Sequence, residues 1–286
     1  MKATAKTAPE SEGFKSYLYG PKIKSSRCFI VLLGDEGNDF MDKACARWLT
    51  EYAGCAALCL ALRPEKSQNS GISLWPLENV EKALAFAKEK GFKKLGILGM
   101  SIQAAMALSA AARLPEIEFT LAISPCDFVP WGFQHGRIGK SSKGEWPSGE
   151  SAFTWRGENL PFQSAGFEKD EYWKFFLKDK KKYGEMHTVS LFDESERRHP
   201  IDESSFIPVE NIKGKLILAA AEDDAMWDAA RYSRRMEKRL EEKGLSAEIL
   251  IFKKGTHFIV PENMLKKALP PIRGRAFFSI FSGTIK

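Results

Sequence analysis

The sequence predicts an α/β protein built on a mostly parallel central sheet flanked by helices. Three observations predict it. Short, wholly apolar runs recur along most of the chain, amphipathic helical stretches alternate with them, and several runs end in glycine- or acid-containing turns. Strands that are apolar throughout must be covered on both faces, as in parallel sheets with crossover helices.

The run 28–33 (CFIVLL) reads as the first buried strand, 41–52 as a helix stopped near Gly54, and 55–62 (CAALCLAL) as the next strand. Pro76 marks a helix start, and Leu77, Val80, Leu84 and Ala87 follow at helical spacing until Gly91. Residues 92–98 read as a strand running into Gly99, 103–113 as a helix of small residues closed before Pro115, and 119–124 as another strand. Over 128–207 Gly, Ser, Trp and charged residues replace this rhythm, which predicts an irregular, cap-like insertion within a single domain spanning 1–286. Residues 215–221 (KLILAAA), a helix over 228–242, Gly244 and 247–252 (AEILIF) restore the alternation. The first 20 or so residues and the tail after Arg273 carry no assignable pattern.

Of 286 residues, 44% are hydrophobic and 28% charged, the balance of a soluble globular chain. The net charge of +6 comes from Lys and Arg interleaved with acids, so a solvated surface is expected and no nucleic-acid partner. The densest basic run, 178–182, reads as an exposed helix end. No run approaches the ~20 apolar residues of a membrane span. The N-terminus lacks the apolar core of a secretory signal, so a cytoplasmic location is expected. Cys28, Cys45, Cys55, Cys59 and Cys126 lie mostly in apolar runs and read as free core thiols; neither a metal site nor a cofactor is expected.

Chemistry concentrates at strand ends. The strand before Gly99-Met100-Ser101-Ile102-Gln103 turns at once into an alanine-rich helix, where a nucleophile elbow would hold Ser101 clear of the sheet. The helix N-terminus would favour charge developing on a substrate oxygen. Alone, Ser101 could equally cap the helix. Chain order favours the nucleophile, because a serine needs a base and the base needs an orienting acid. The strand 215–221 runs into Glu222-Asp223-Asp224, and 247–252 runs into Lys253-Lys254-Gly255-Thr256-His257. Asp224 is preferred to Asp223 because it stands three residues before Trp227, and Asp223 is then expected to cap the following helix or face solvent. His135, His187 and His199 fall in the insertion with no strand to fix them. Cys126 has no basic neighbour to activate it and reads as core. The oxyanion-hole donors expected are the backbone N–H groups of Ile102 and, from the loop Gly34-Asp35-Glu36-Gly37, of Asp35.

These features place the chain among α/β-hydrolases, and it resembles the C-terminal catalytic domain shared by acyl-CoA thioesterases and bile acid-CoA:amino acid N-acyltransferases. The likeness runs from about Gly34 to His257. LGILGMS at 95–101, WRGENLP at 155–161, IPVENIKGKLIL at 207–218, EDDAMW at 222–227 and KGTHFIVP at 254–261 carry it. The resemblance implies acyl transfer from a thioester or ester, with Ser101, Asp224 and His257 at the family's triad positions. The acyltransferase branch uses a cysteine nucleophile, so Ser101 points to water as acceptor. Transfer to an amine or alcohol, and a catalytically inactive binding member, are the alternatives. Gln103 and Ala104 stand where the family has glycines, and Ala221 stands in place of a glycine before the acid. Only some 25 residues precede the first strong strand, where the family's thioesterases carry a β-domain, so a smaller ester, thioester or amide is also expected as substrate. Gln103, Trp131 and Trp155 are candidate pocket residues. The insertion's aromatic residues would form either an acyl-pocket lid or a satellite core.

Overall fold

The computed structural model describes residues 2–8, 11, 13–20, 25–34, 37–62, 72–138, 142–183 and 187–259. Its centre is an eight-stranded sheet of β1 (Ala5–Thr7), β2 (Ser16–Tyr19), β3 (Arg27–Leu32), β4 (Ala56–Leu60), β6 (Lys94–Met100), β7 (Ile117–Ile123), β12 (Lys215–Ala221) and β13 (Glu248–Phe252). Their spatial order is β1-β2-β4-β3-β6-β7-β12-β13. From β4 to β13 every neighbouring pair is parallel. Only β1 and β2, the segment without a readable pattern, add antiparallel at one edge.

Alternation along each strand sorts the side chains into two cores. Cys28, Ile30 and Leu32 of β3 and Leu216, Leu218 and Ala220 of β12 face one side. There α2 (Glu78–Glu89), α3 (Ile102–Ala111) and α6 (Ala229–Glu242) supply Val80, Leu84, Ala107, Tyr232 and Met236. Phe29, Val31, Ile217 and Ala219 face the other side, where α1 (Phe40–Glu51) supplies Cys45, Ala46 and Leu49. Every residue of α3 from Gln103 to Ala111 is buried, which explains its lack of a polar stripe. Its alanines let it lie close on β6 and β7. Helix α2 begins at Glu78 rather than at Pro76, because Pro76 pairs in β5 (Trp75–Pro76) with β10 (Phe153–Trp155).

Segment 128–207 is more regular than its composition suggests. It holds a hairpin of β8 (Trp131–Ile138) and β9 (Ser142–Ser151), the short β10–β11 (Glu158–Asn159) pair, and helices α4 (Lys169–Tyr183) and α5 (Val189–Arg198). None of these strands joins the main sheet. The buried Asp127, at its root, pairs with Arg235 of α6. Among the described residues no helix is long and apolar enough to cross a membrane. All five cysteines are buried and free.

Candidate functional site

Because β6, β7, β12 and β13 are neighbours, the loops that leave their carboxyl ends lie side by side. Ser101 follows β6 with φ 64° and ψ −135°, a conformation that costs a non-glycine residue about 1–3 kcal/mol. Its N–H donates to Ile123 O at 2.9 Å, and its carbonyl accepts from Ala104 N–H at 2.9 Å. A Cβ on Gly99 would lie 2.1 Å from Gln103 O, so the tight turn requires glycine there. Among the described residues no acceptor meets the N–H of Ile102, the first residue of α3.

After β12, the carboxylate of Asp224 accepts through Oδ1 from Met226 N–H at 2.9 Å and Trp227 N–H at 3.4 Å. Held this way, it meets His257 Nδ1 at 3.0 Å through Oδ1 and 2.8 Å through Oδ2. His257 Nε2 lies 2.8 Å from Ser101 Oγ. A carboxylate facing Nδ1 keeps the proton on that nitrogen and leaves the Nε2 lone pair to the serine hydroxyl. Both Asp224 and His257 are buried. The arrangement can draw a proton from Ser101 while the acid stabilises the imidazolium that forms.

Of its two expected roles Asp223 takes the second: it is exposed and does not cap the next helix. Its carboxylate also accepts from the N–H groups of Gly255 and Thr256 at 2.8 Å each. Thr256 has φ 56°, and this left-handed turn offers two successive N–H groups to one oxygen. Asp228 caps α6 instead, accepting from Arg231 N–H at 2.9 Å.

Two supports escaped the sequence reading. Ser124, just past β7, donates through Oγ to His257 O at 2.7 Å, and its carbonyl accepts from Trp227 Nε1 at 3.1 Å. An aromatic column then runs from the insertion to the imidazole. Trp131 stacks on Phe192 at 5.0 Å, Phe192 meets Trp227 at 5.1 Å, and Trp227 meets the His257 ring in a T-shaped contact at 4.7 Å. The strand ends of Ser124 and Trp227 were visible in sequence; their long-range partners were not.

The cleft at Ser101 encloses about 560 Å³ and is lined by Leu33, Gly34, Asp39, Phe40, Met41, Ile72, Ile102, Gln103 and Phe258 as well as Ser101. Of the three pocket candidates, Gln103 lines it. Trp131 and Trp155 are not among its described walls: Trp131 is buried in the main core on one face of the central sheet, and Trp155 carries the Arg156 guanidinium 4.4 Å over its ring. Asp35 lies outside the described residues. Its neighbour Gly34 has its N–H committed to Asp42 Oδ1 at 3.1 Å. Asp39 caps α1, accepting from Met41 and Asp42 N–H at 2.9 and 3.2 Å. A Cβ on Gly34 would lie 1.9 Å from Asp39 Oδ2 and 2.4 Å from Asp42 Oδ2. Burial first, then the charge of Asp39, pushes the Asp42 carboxyl up to about 8, so it holds a proton at neutral pH.

Among the remaining candidates, burial pushes the Cys126 thiol up, away from a reactive thiolate. His135 lies on β8 and His199 ends α5, where its carbonyl accepts from Gln163 Nε2 at 2.5 Å. Among the described histidines the ring of His257 meets Ser101.

Comparison with known proteins agrees with this architecture. The family model described as "BAAT / Acyl-CoA thioester hydrolase C terminal" matches residues 76–264. Among solved structures, the monoacylglycerol lipase of Paleococcus ferrophilus is similar with a TM-score of 0.52 and 17% identity, over 95% of this chain and 98% of that one. Carboxyl esterase 2 of the mycorrhizal fungus Tuber melanosporum is similar with a TM-score of 0.58 and 14% identity, over 96% of this chain and 80% of that one. At these identities the likeness shows the α/β-hydrolase fold. No curated protein matches the sequence.

Proposed function

This chain belongs to the BAAT / acyl-CoA thioester hydrolase C-terminal family and is an α/β-hydrolase of ester or thioester bonds, and we propose that Ser101 is its nucleophile, His257 its general base and Asp224 the acid that orients the base. The observation that carries the reading is the unbroken pair of contacts through one imidazole, 2.8 Å from Nε2 to Ser101 Oγ and 2.8 Å from Nδ1 to Asp224 Oδ2. As Oγ attacks the acyl carbon, its proton passes to Nε2. The carbonyl oxygen takes up negative charge facing the N–H of Ile102, which no acceptor among the described residues occupies. Collapse expels the thiolate or alkoxide, which takes the proton from His257 and leaves an acyl-serine. Water then attacks that ester with His257 again as base, releasing the acid and restoring Ser101.

A small acyl ester or thioester is the substrate in this reading. Hydrolysis is favoured over transfer because the nucleophile is a serine and the match to the acyltransferase branch's cysteine is absent at position 101. A panel of acyl-CoA thioesters, short p-nitrophenyl esters and amides, assayed with wild type and Ser101→Ala, tests it. Turnover of a thioester or ester should fall by roughly 10³ to 10⁶ in the variant. Retention of most activity in Ser101→Ala contradicts the assignment, and acceptor-dependent product in the presence of amines would replace hydrolysis with transfer.

A further inference from the structure

Gln103 is an odd occupant of its position. It stands two residues after Ser101 on the first turn of α3, lines the same cleft, and is only 7% exposed. Yet its carboxamide has no hydrogen-bond partner among the described residues. Its amide atoms are not sealed away from solvent, so on the wall of the cleft they are free to meet a polar group of a ligand. The rest of the cleft wall is mainly apolar, from Leu33, Phe40, Met41, Ile72, Ile102 and Phe258. The other polar wall is Asp39, and behind it Asp42 leans on the same glycine. A carboxylate on one side and a carboxamide on the other disfavour an anion and favour a hydrogen-bond donor.

We infer that Gln103 selects acyl donors that carry a hydroxyl or ammonium group within two or three carbons of the carbonyl, over plain alkyl acyl groups. The assignment rests on Ser101 being the nucleophile, since that is what fixes the carbonyl beside Gln103. The amide oxygen accepts from the substituent, the amide N–H donates to a hydroxyl oxygen, and the alkyl part lies on the apolar wall. Both substituents share the donor chemistry, and substrates that differ only there separate them.

The test compares p-nitrophenyl butanoate, 3-hydroxybutanoate and 3-aminobutanoate, each rate normalised to that ester's hydrolysis by hydroxide. Wild type is expected to favour at least one substituted ester by about tenfold or more in kcat/KM, and Gln103→Leu to bring that ratio close to one. No preference in wild type, or a preference undiminished in Gln103→Leu, overturns the assignment. Gln103→Glu keeps the side chain's shape and adds a charge, so the amino ester should gain on the hydroxy ester; no gain also overturns it. Fluorophosphonate labelling of the same preparations separates the two levels. Protein labelled at Ser101 but unselective removes the role of Gln103 alone, whereas folded protein left unlabelled removes the serine-nucleophile reading and this inference with it.

Discussion

Replacing Asp224 by Asn changes one atom of the site and reverses one hydrogen bond. Oδ1 of Asp224 accepts from Met226 and Trp227 N–H, so the Asn oxygen must stay there and its NH₂ must take the place of Oδ2. That NH₂ then faces His257 Nδ1, where the carboxylate now sits at 2.8 Å. Two donors cannot share the contact, so Nδ1 gives up its proton and Nε2 takes it. An imidazole protonated at Nε2 cannot accept the Ser101 proton across the 2.8 Å contact. The expected loss is about 10⁴ in kcat, or roughly 5 kcal/mol of transition-state stabilisation. Stability should change little, because both backbone N–H groups keep their acceptor. Steady-state kinetics on an activated ester reads the loss, and thermal melting shows that the fold survives. Asp223→Asn is the matched comparison: its oxygen can still accept from Gly255 and Thr256, so activity should stay within about tenfold of wild type. An Asp224→Asn enzyme within tenfold of wild type, or a larger loss in Asp223→Asn, would refute the reasoning.

Three further outcomes follow from the same contacts. The Asp42 carboxyl is held up at about 8 in the folded chain against about 4 when unfolded. Between these values the folded state keeps a proton that the unfolded chain has lost, so stability falls as pH rises across that window. Asp42→Asn preserves the neutral shape and the acceptor for Gly34 N–H, so its urea midpoint should approach that of wild type near pH 4 and exceed it increasingly up to pH 8; a constant gap contradicts this. Gly99→Ala drives a methyl to 2.1 Å from Gln103 O. It should cost roughly 1–3 kcal/mol or more by denaturant unfolding, together with most activity, because the Ser101 turn must shift. Trp131→Ala empties a fully buried site against Phe192 and should lower stability by about 3–5 kcal/mol; a change confined to KM would instead restore Trp131 to the substrate cleft.

The parallel sheet was legible because its strands are buried on both faces and so read as unbroken apolar runs. Residues 215–221 match β12 end to end, and the other main strands differ by a few residues at their ends. That Ser101, Asp224 and His257 stand just past strand ends was legible because each follows such a run, and the spacing to Trp227 made the second acid the candidate. Strands β1 and β2 were not legible: three and four residues long, they are too short to display a period. The β8–β9 hairpin hides behind glycines and a proline with low strand propensity, and its pairing is set by partners across the hairpin rather than by local pattern. The supports of His257 were hidden for a related reason. Ser124 and His257 are separated by 133 positions, and Trp131 reaches the imidazole only through Phe192 and Trp227. A run of adjacent acids likewise does not reveal that Asp223 pins the histidine loop while Asp224 meets the ring.

The most direct measurement reacts the folded protein with a fluorophosphonate and maps the adduct by peptide mass spectrometry, in wild type and in His257→Ala. One adduct on Ser101 in wild type, with its formation slowed by orders of magnitude in His257→Ala, is the predicted result. An unmodified Ser101 in folded wild type at neutral pH, or an adduct that forms equally fast without the imidazole, would contradict it.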